Sequence, residues 1–273
     1  MASALASGAE HVVVLASNAR RDELSVLQGE IDLTNAILVA LGQSGARAHL
    51  LVEDDPDAAA EMLYNLPTVE NVKSANFTAS PQKRETARLA LAQLHAAVPD
   101  APGIIALPDG APYGRINIET DGCTLCLACV SACPANALAD NPDQPQVAFT
   151  EAACVQCGLC TKTCPESVIK LEPRYNFSPA ALSPIVLNEE EPFHCIRCDK
   201  PFGTKSSVEH VMAALSGKHA MFANSDQAKV IQMCDDCRVI AMNDAPNPMA
   251  SAERPRVRTT QDYLIEDTDP KKV

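Results

Sequence analysis

Eight of the twelve cysteines fall into one pattern written twice: Cys123-x2-Cys126-x2-Cys129-x3-Cys133-Pro134, then Cys154-x2-Cys157-x2-Cys160-x3-Cys164-Pro165. Thiolates at i, i+3 and i+6 on a tight loop can reach three irons of one cube, while the fourth cysteine points away and ligates the other cluster of a pair. The spacing therefore assigns one 4Fe-4S cluster to Cys123, Cys126, Cys129 and Cys164, and a second to Cys154, Cys157, Cys160 and Cys133. Pro134 and Pro165 turn the chain after the last ligand, where a fixed φ and a missing N–H are tolerated. The small residues Ala128, Ala132 and Gly158 leave backbone N–H groups free to point at sulfur, and such bonds help set a cluster's potential. Two other uses of eight cysteines fit less well. Disulfides need an oxidising compartment, and the start Met1-Ala-Ser-Ala-Leu-Ala has no basic n-region and no sustained apolar h-region, so a cytoplasmic location is expected. Structural zinc takes its four ligands mostly as two separated pairs, and has no need of a tandem three-plus-one pattern.

The remaining cysteines do form two separated pairs, Cys195-x2-Cys198 and Cys234-x2-Cys237. Each pair can make a knuckle, and four thiolates close a tetrahedron around zinc. Iron stays open as an alternative, either as a single rubredoxin-type ion or as a third iron–sulfur cluster, because four sulfurs suit all three. His194 flanks Cys195, and His210 and His219 lie between the pairs. With four thiolates present, no ligand role is assigned to them.

The elements that must position these ligands follow from periodicity. Residues 1–112 alternate strand and helix: a short apolar strand His11-Val-Val-Val-Leu-Ala, an amphipathic stretch from Asp22 to Leu41, and a second strand Ala48-His-Leu-Leu-Val. Asp54-Asp-Pro-Asp makes a turn and N-cap for a helix through Met62, another helix runs near Glu85 to Ala97, and Gly103-Ile-Ile-Ala-Leu closes the layer as a third strand. Such a layer can bind nucleotides or flavin, but the turn after its first strand, Ala16-Ser-Asn-Ala-Arg-Arg, holds no G-x-G-x-x-G and no P-loop, which favours a scaffolding or docking role. Pro-rich residues 99–112 lead into the central unit 113–175, and residues 176–192 read as a solvated linker. In the four-cysteine module 193–242, Ser206 and Glu209 make a capping box for a helix to Leu215, and a second helix over Asn224–Met233 delivers the second pair. The tail 243–273 is polar, with Tyr263, Leu264 and Ile265 as anchors should it fold onto a partner.

Residues 113–175, from Tyr113-Gly-Arg-Ile-Asn-Ile-Glu to Lys170-Leu-Glu-Pro-Arg-Tyr, resemble a complete bacterial-type two-cluster ferredoxin domain. The resemblance implies strands at Arg115–Glu119, Gln146–Phe149 and Val168–Glu172, and short helices after each fourth cysteine, through Asn136-Ala-Leu and Glu166-Ser-Val. The expected architecture is thus an α/β N-terminal domain with a parallel sheet, an α+β ferredoxin-like dicluster domain, and a small zinc-ribbon or treble-clef-like four-cysteine module. The runs His194-Cys-Ile-Arg-Cys-Asp-Lys-Pro-Phe-Gly and Ile231-Gln-Met-Cys-Asp-Asp-Cys-Arg-Val are similar to iron–sulfur proteins that accompany molybdenum- or tungsten-dependent formate dehydrogenases. That similarity implies electrons passing between formate oxidation and a further carrier, in either direction.

Composition narrows the partners. The chain is 47% apolar but only 4% aromatic, so its cores must be built mainly from Ala, Val, Leu and Ile. A net charge of −13 argues against nucleic acid, which needs a basic footprint, and suits docking on a basic face of a redox protein. No run of 18 apolar residues offers a membrane span. The expected function is an electron-transfer subunit serving a catalytic subunit of a larger complex. A self-contained reductase would need a flavin fingerprint, a molybdopterin ligand pattern or a radical C-x3-C-x2-C triad, and none is legible. A zinc or iron–sulfur regulatory sensor is the other alternative.

Overall fold

Five consecutive apolar residues form strand β1 (Val12–Ala16), which pairs in parallel with β2 (Ala48–Val52). Parallel strands need a long crossover, and helix α2 (Arg21–Ala40) provides it. In this computed structural model the described residues are 1–43, 45–69, 74–216, 218, 228–244 and 260. Arg47 fixes the entry to β2 from a buried position, donating to the carbonyls of Ala9 and Glu10 and to Gln43 Oε1. Helix α3 (Pro56–Tyr64) starts at Asp55, whose carboxylate accepts from the Asp57 N–H at 3.0 Å, with Pro56 in the first turn where no N–H is needed.

The expected third strand of this layer goes elsewhere. Strand β3 (Ile104–Ala106) pairs antiparallel with β7 (Ile169–Asn176), which also pairs with β4 (Gly114–Ile118) on its other side. β7 runs on past β4, which covers it only as far as Pro173, and its opposite edge at Arg174, Tyr175 and Asn176 is open until β3 pairs with it. Ile105 and Tyr175 are both buried in one core with Leu5 and Ala6 of α1 (Ala2–Ala6), Ile37 and Leu38 of α2, and Leu91 and Leu94 of α4 (Lys83–Ala96). Residues 1–190 consequently form one compact unit and 191–273 another. A second antiparallel sheet orders β5 (Leu138–Asp140), β6 (Gln146–Phe149) and β8 (Ile185–Glu189). Strand β8 lies in the stretch read as linker, and it closes the edge of β6.

The short helices of the cysteine runs lie before the fourth cysteine, not after it. Helix α5 (Ala128–Ser131) and helix α6 (Leu159–Thr163) each span the third cysteine of their run. Proline drives the residue before it out of the helical basin, so Cys133 and Cys164 must end them. Beyond, Asn136 and Ser167 take left-handed φ values of 49° and 56°, which no helix continues through.

In the second unit β9 (Pro192–His194) and β10 (Pro201–Thr204) make a bulged hairpin, followed by α7 (Lys205–Leu215). The N-cap is Thr204, two residues earlier than the Ser206 box expected: its buried hydroxyl accepts from Ser207 N at 3.0 Å. Of the helix expected over 224–233, residues 224–227 lie outside the described residues and 229–232 are a 3-10 turn. A further helix, α8 (Asp235–Asp244), begins after it. Tyr263, Leu264 and Ile265 of the tail also lie outside the described residues. Among the described residues no helix is long and apolar enough to cross a membrane.

Candidate metal centres

The eight central cysteines surround two hollows of similar size, about 370 and 360 Å³ of empty space including their open mouths. Cys123, Cys126, Cys129 and Cys164 line the first, together with Leu125, Val147, Glu166 and Val168. Cys133, Cys154, Cys157 and Cys160 line the second, together with Ile116, Leu138, Phe149 and Gln156. Each hollow thus gathers three cysteines of one run and the last of the other. The walls are otherwise almost wholly apolar and belong to a single core containing Ile116, Leu138, Val147 and Phe149.

Local backbone geometry makes the hollows. Leu125 and Leu127 in the first run and Gln156 and Gly158 in the second stand at equivalent places and all have positive φ, between 50° and 75°. Left-handed turns reverse the direction of successive peptides, so N–H groups face inward rather than along a helix. Three of the four are not glycine, and each such residue costs on the order of 1–3 kcal/mol that the surrounding core must offset. Donors to cysteine sulfur include Ala137 N to Cys133 Sγ at 3.3 Å, and both Gln156 N and Gln156 Nε2 to Cys154 Sγ at 3.5 and 3.4 Å. Burial, reinforced by Cys123 and Cys126, pushes the Cys129 thiol up to about 11, and burial also raises Cys154 and Cys160. Buried thiols of this kind ionise only when a cation shares the site. A polynuclear iron–sulfur group fits this donor set: soft ligands, inward N–H groups and an apolar wall.

The other four cysteines have a different geometry. The Sγ atoms of Cys195, Cys198, Cys234 and Cys237 all lie within 4.8 Å of one another, and Cys198 and Cys234 are 3.6 Å apart. A tetrahedral zinc with Zn–S of about 2.3 Å places its sulfurs roughly 3.8 Å apart, so the four thiols fit one ion. The β9–β10 turn supplies the first pair, held by Cys195 N to Lys200 O and Asp199 N to Cys195 O, with Asp199 at φ 61°. Cys234 immediately precedes α8 and Cys237 sits in its first turn, where the helix end favours an anion. Burial opposes ionisation of Cys195, but N–H groups of Cys234, Arg197 and Cys198 outweigh it and hold that thiol low, while its neighbours Cys198, Cys234 and Cys195, with burial, push Cys237 up. His194 is engaged by Asp199, through its carbonyl at 2.9 Å and its carboxylate at 3.3 Å, and is no part of the thiol cluster. His219 lies outside the described residues.

Residues 122–169 match the family of the 4Fe-4S dicluster domain. The chain therefore carries an iron–sulfur domain, of a kind that moves electrons. No curated protein matches the chain.

Three contributors escaped the sequence. Gly114 starts β4, and a Cβ there would fall 2.4 Å from Glu172 O and 2.7 Å from Gln156 Cδ. Arg84 of α4 donates to the carbonyls of Ala152, Pro112 and Cys154, and stacks on Tyr113 at 4.7 Å. Glu151 and Arg174 form a largely buried ion pair, 2.8 Å apart, that ties the approach to Cys154 onto β7. Gln156, standing at the place of Leu125, was a signal available in the spacing; these three depend on long-range pairing.

Proposed function

We propose that this chain is an electron-transfer subunit that relays electrons through two 4Fe-4S clusters. The lining of the two hollows carries the reading, because each set of four thiols combines three cysteines of one run with the fourth of the other. Cys123, Cys126, Cys129 and Cys164 would hold one cluster; Cys154, Cys157, Cys160 and Cys133 the other. When bound, such groups supply one-electron transfer at a potential set by their surroundings. The chain's own residues exclude water with the apolar walls and direct N–H groups at sulfur. Crossed ligation ties the two runs into one unit, so neither can form alone.

The module after residue 190 is a treble-clef-like structural zinc site, on the support of four converging thiols at a hairpin turn and a helix start. The first 112 residues are a docking and supporting domain. The partner is a catalytic subunit of a larger complex, of the molybdenum or tungsten formate dehydrogenase kind implied by the resemblance at 194–203 and 231–239. The net charge of −13 suits a basic docking face, and cysteines kept reduced as metal ligands suit a cytoplasmic setting.

Reductive titration followed by EPR tests the crossed ligation. Cys133→Ala is expected to abolish the signal of the cluster held by Cys154, Cys157 and Cys160, and Cys164→Ala the signal of the other. If each substitution damages only the cluster of its own run, the assignment is wrong.

A further inference from the structure

The two hollows are built on equivalent frames, yet their linings differ at the places that carry polarity. Two residues after the first cysteine of each run stands Leu125 in one and Gln156 in the other. Leu125 is buried in the first hollow's wall and offers no donor. Gln156 Nε2 lies 3.4 Å from Cys154 Sγ and 3.0 Å from the Arg115 carbonyl. The amide cannot be reversed, because Oε1 would then face that carbonyl. Gln156 Oε1 is instead left buried without a hydrogen-bond partner. Gly114 makes the room: a Cβ there would come within 2.8 Å of Gln156 Nε2.

Charge differs in the same sense. Immediately after the proline of each run stands Ala135 in one and Glu166 in the other. Crossing of the chains sends Glu166 to the first hollow and Ala135 to the second. Arg84 meanwhile lays a half-buried guanidinium on the loop backbone of the second, bonded to the carbonyls of Ala152 and Cys154. An added electron is favoured by donors and a cation and disfavoured by a carboxylate. The second hollow has Gln156 and Arg84; the first has Leu125 and Glu166.

Resting on the two-cluster reading, we propose that the clusters have unequal potentials, the site of Cys133, Cys154, Cys157 and Cys160 being the higher, with Gln156 and Arg84 as its positioning residues. Arg84 comes from α4, so the N-terminal elements set the redox order of the pair as well as supporting it. The first electron taken from a reductant resides at the second hollow.

Potentiometric titration of the full chain with a chemical reductant, read by EPR, tests this order. The wild type is expected to show two separate one-electron waves. Q156L and R84Q should each shift the upper wave downward and leave the lower in place, R84K should restore most of the upper potential, and L125Q should shift the lower wave upward. Coincident wild-type waves overturn the proposal. So does a Q156L protein with full iron content whose two waves move together or not at all. A wild type carrying iron for fewer than two clusters would instead defeat the underlying reading.

Discussion

The central unit and the C-terminal module use the same ligand in opposite ways. Around the two hollows eight thiols stand apart and face a shared apolar wall, whereas Cys195, Cys198, Cys234 and Cys237 converge until all four sulfurs lie within 4.8 Å. Among the described residues no three of the central eight converge in that way. A single ion needs its donors drawn to one point, while a polynuclear group needs them spread over its corners. The spread holds three non-glycine residues left-handed, Leu125, Leu127 and Gln156, whereas the tetrahedron needs only Asp199 so, in one hairpin turn, with one helix start. The comparison teaches that thiol spacing in space, rather than cysteine number, separates a site for a polynuclear group from a site for a single ion.

The largest expected effect separates the regions by their metals. Cys237→Ala should lose the C-terminal ion and unfold the second unit while the iron content holds, since structural zinc contributes about 10–16 kcal/mol of folding free energy in small modules. Metal analysis with limited proteolysis checks it, and loss of central iron from the same variant would break the distinction. A strong zinc chelator should act likewise, releasing about one zinc per chain and leaving the visible iron–sulfur absorbance unchanged.

Next comes the buried ion pair that braces only the second run. Burial pushes Glu151 up, but bonds from Arg174 and Asn176 outweigh it and hold the carboxyl below its usual range. Its stabilisation is therefore present above the ordinary Glu pKa and is lost as pH falls through the lowered value. Arg174→Met strands the carboxylate and should cost about 3–5 kcal/mol in denaturant unfolding at neutral pH. Gly114→Ala forces Glu172 O and Gln156 apart from the new Cβ and should cost about 1–3 kcal/mol, with the second hollow's EPR signal broadened and the first's unchanged. The smallest effect is Gly158→Ala, about 1 kcal/mol for a methyl at φ 75°, because Leu127 already tolerates the equivalent conformation.

Much of this was legible in sequence, for local reasons. Periodicity placed β1, β2, α2 and α4 within a residue or two, and Asp55 followed by Pro56 announced its own cap. The iron–sulfur domain was readable because C-x2-C-x2-C-x3-C is a local geometric demand. What was not legible depended on partners far along the chain. Ile104–Ala106 looks like a third parallel strand until the open edge of β7 competes for it, and Ile185–Glu189 looks like linker until β6 presents an open edge. The helices were misplaced although Pro134 and Pro165 carried the clue, since a helix that spans the third cysteine must end by the residue before the proline. Arg84 could not be found at all: its partners Ala152 and Cys154 meet it only after β3 joins β7.

Analysis of iron, acid-labile sulfide and zinc in the anaerobically purified chain tests the central claim most directly. Two four-iron clusters and one zinc predict about eight iron, eight sulfide and one zinc per chain. Zinc in the central hollows, or about four iron with no sulfide, would contradict it.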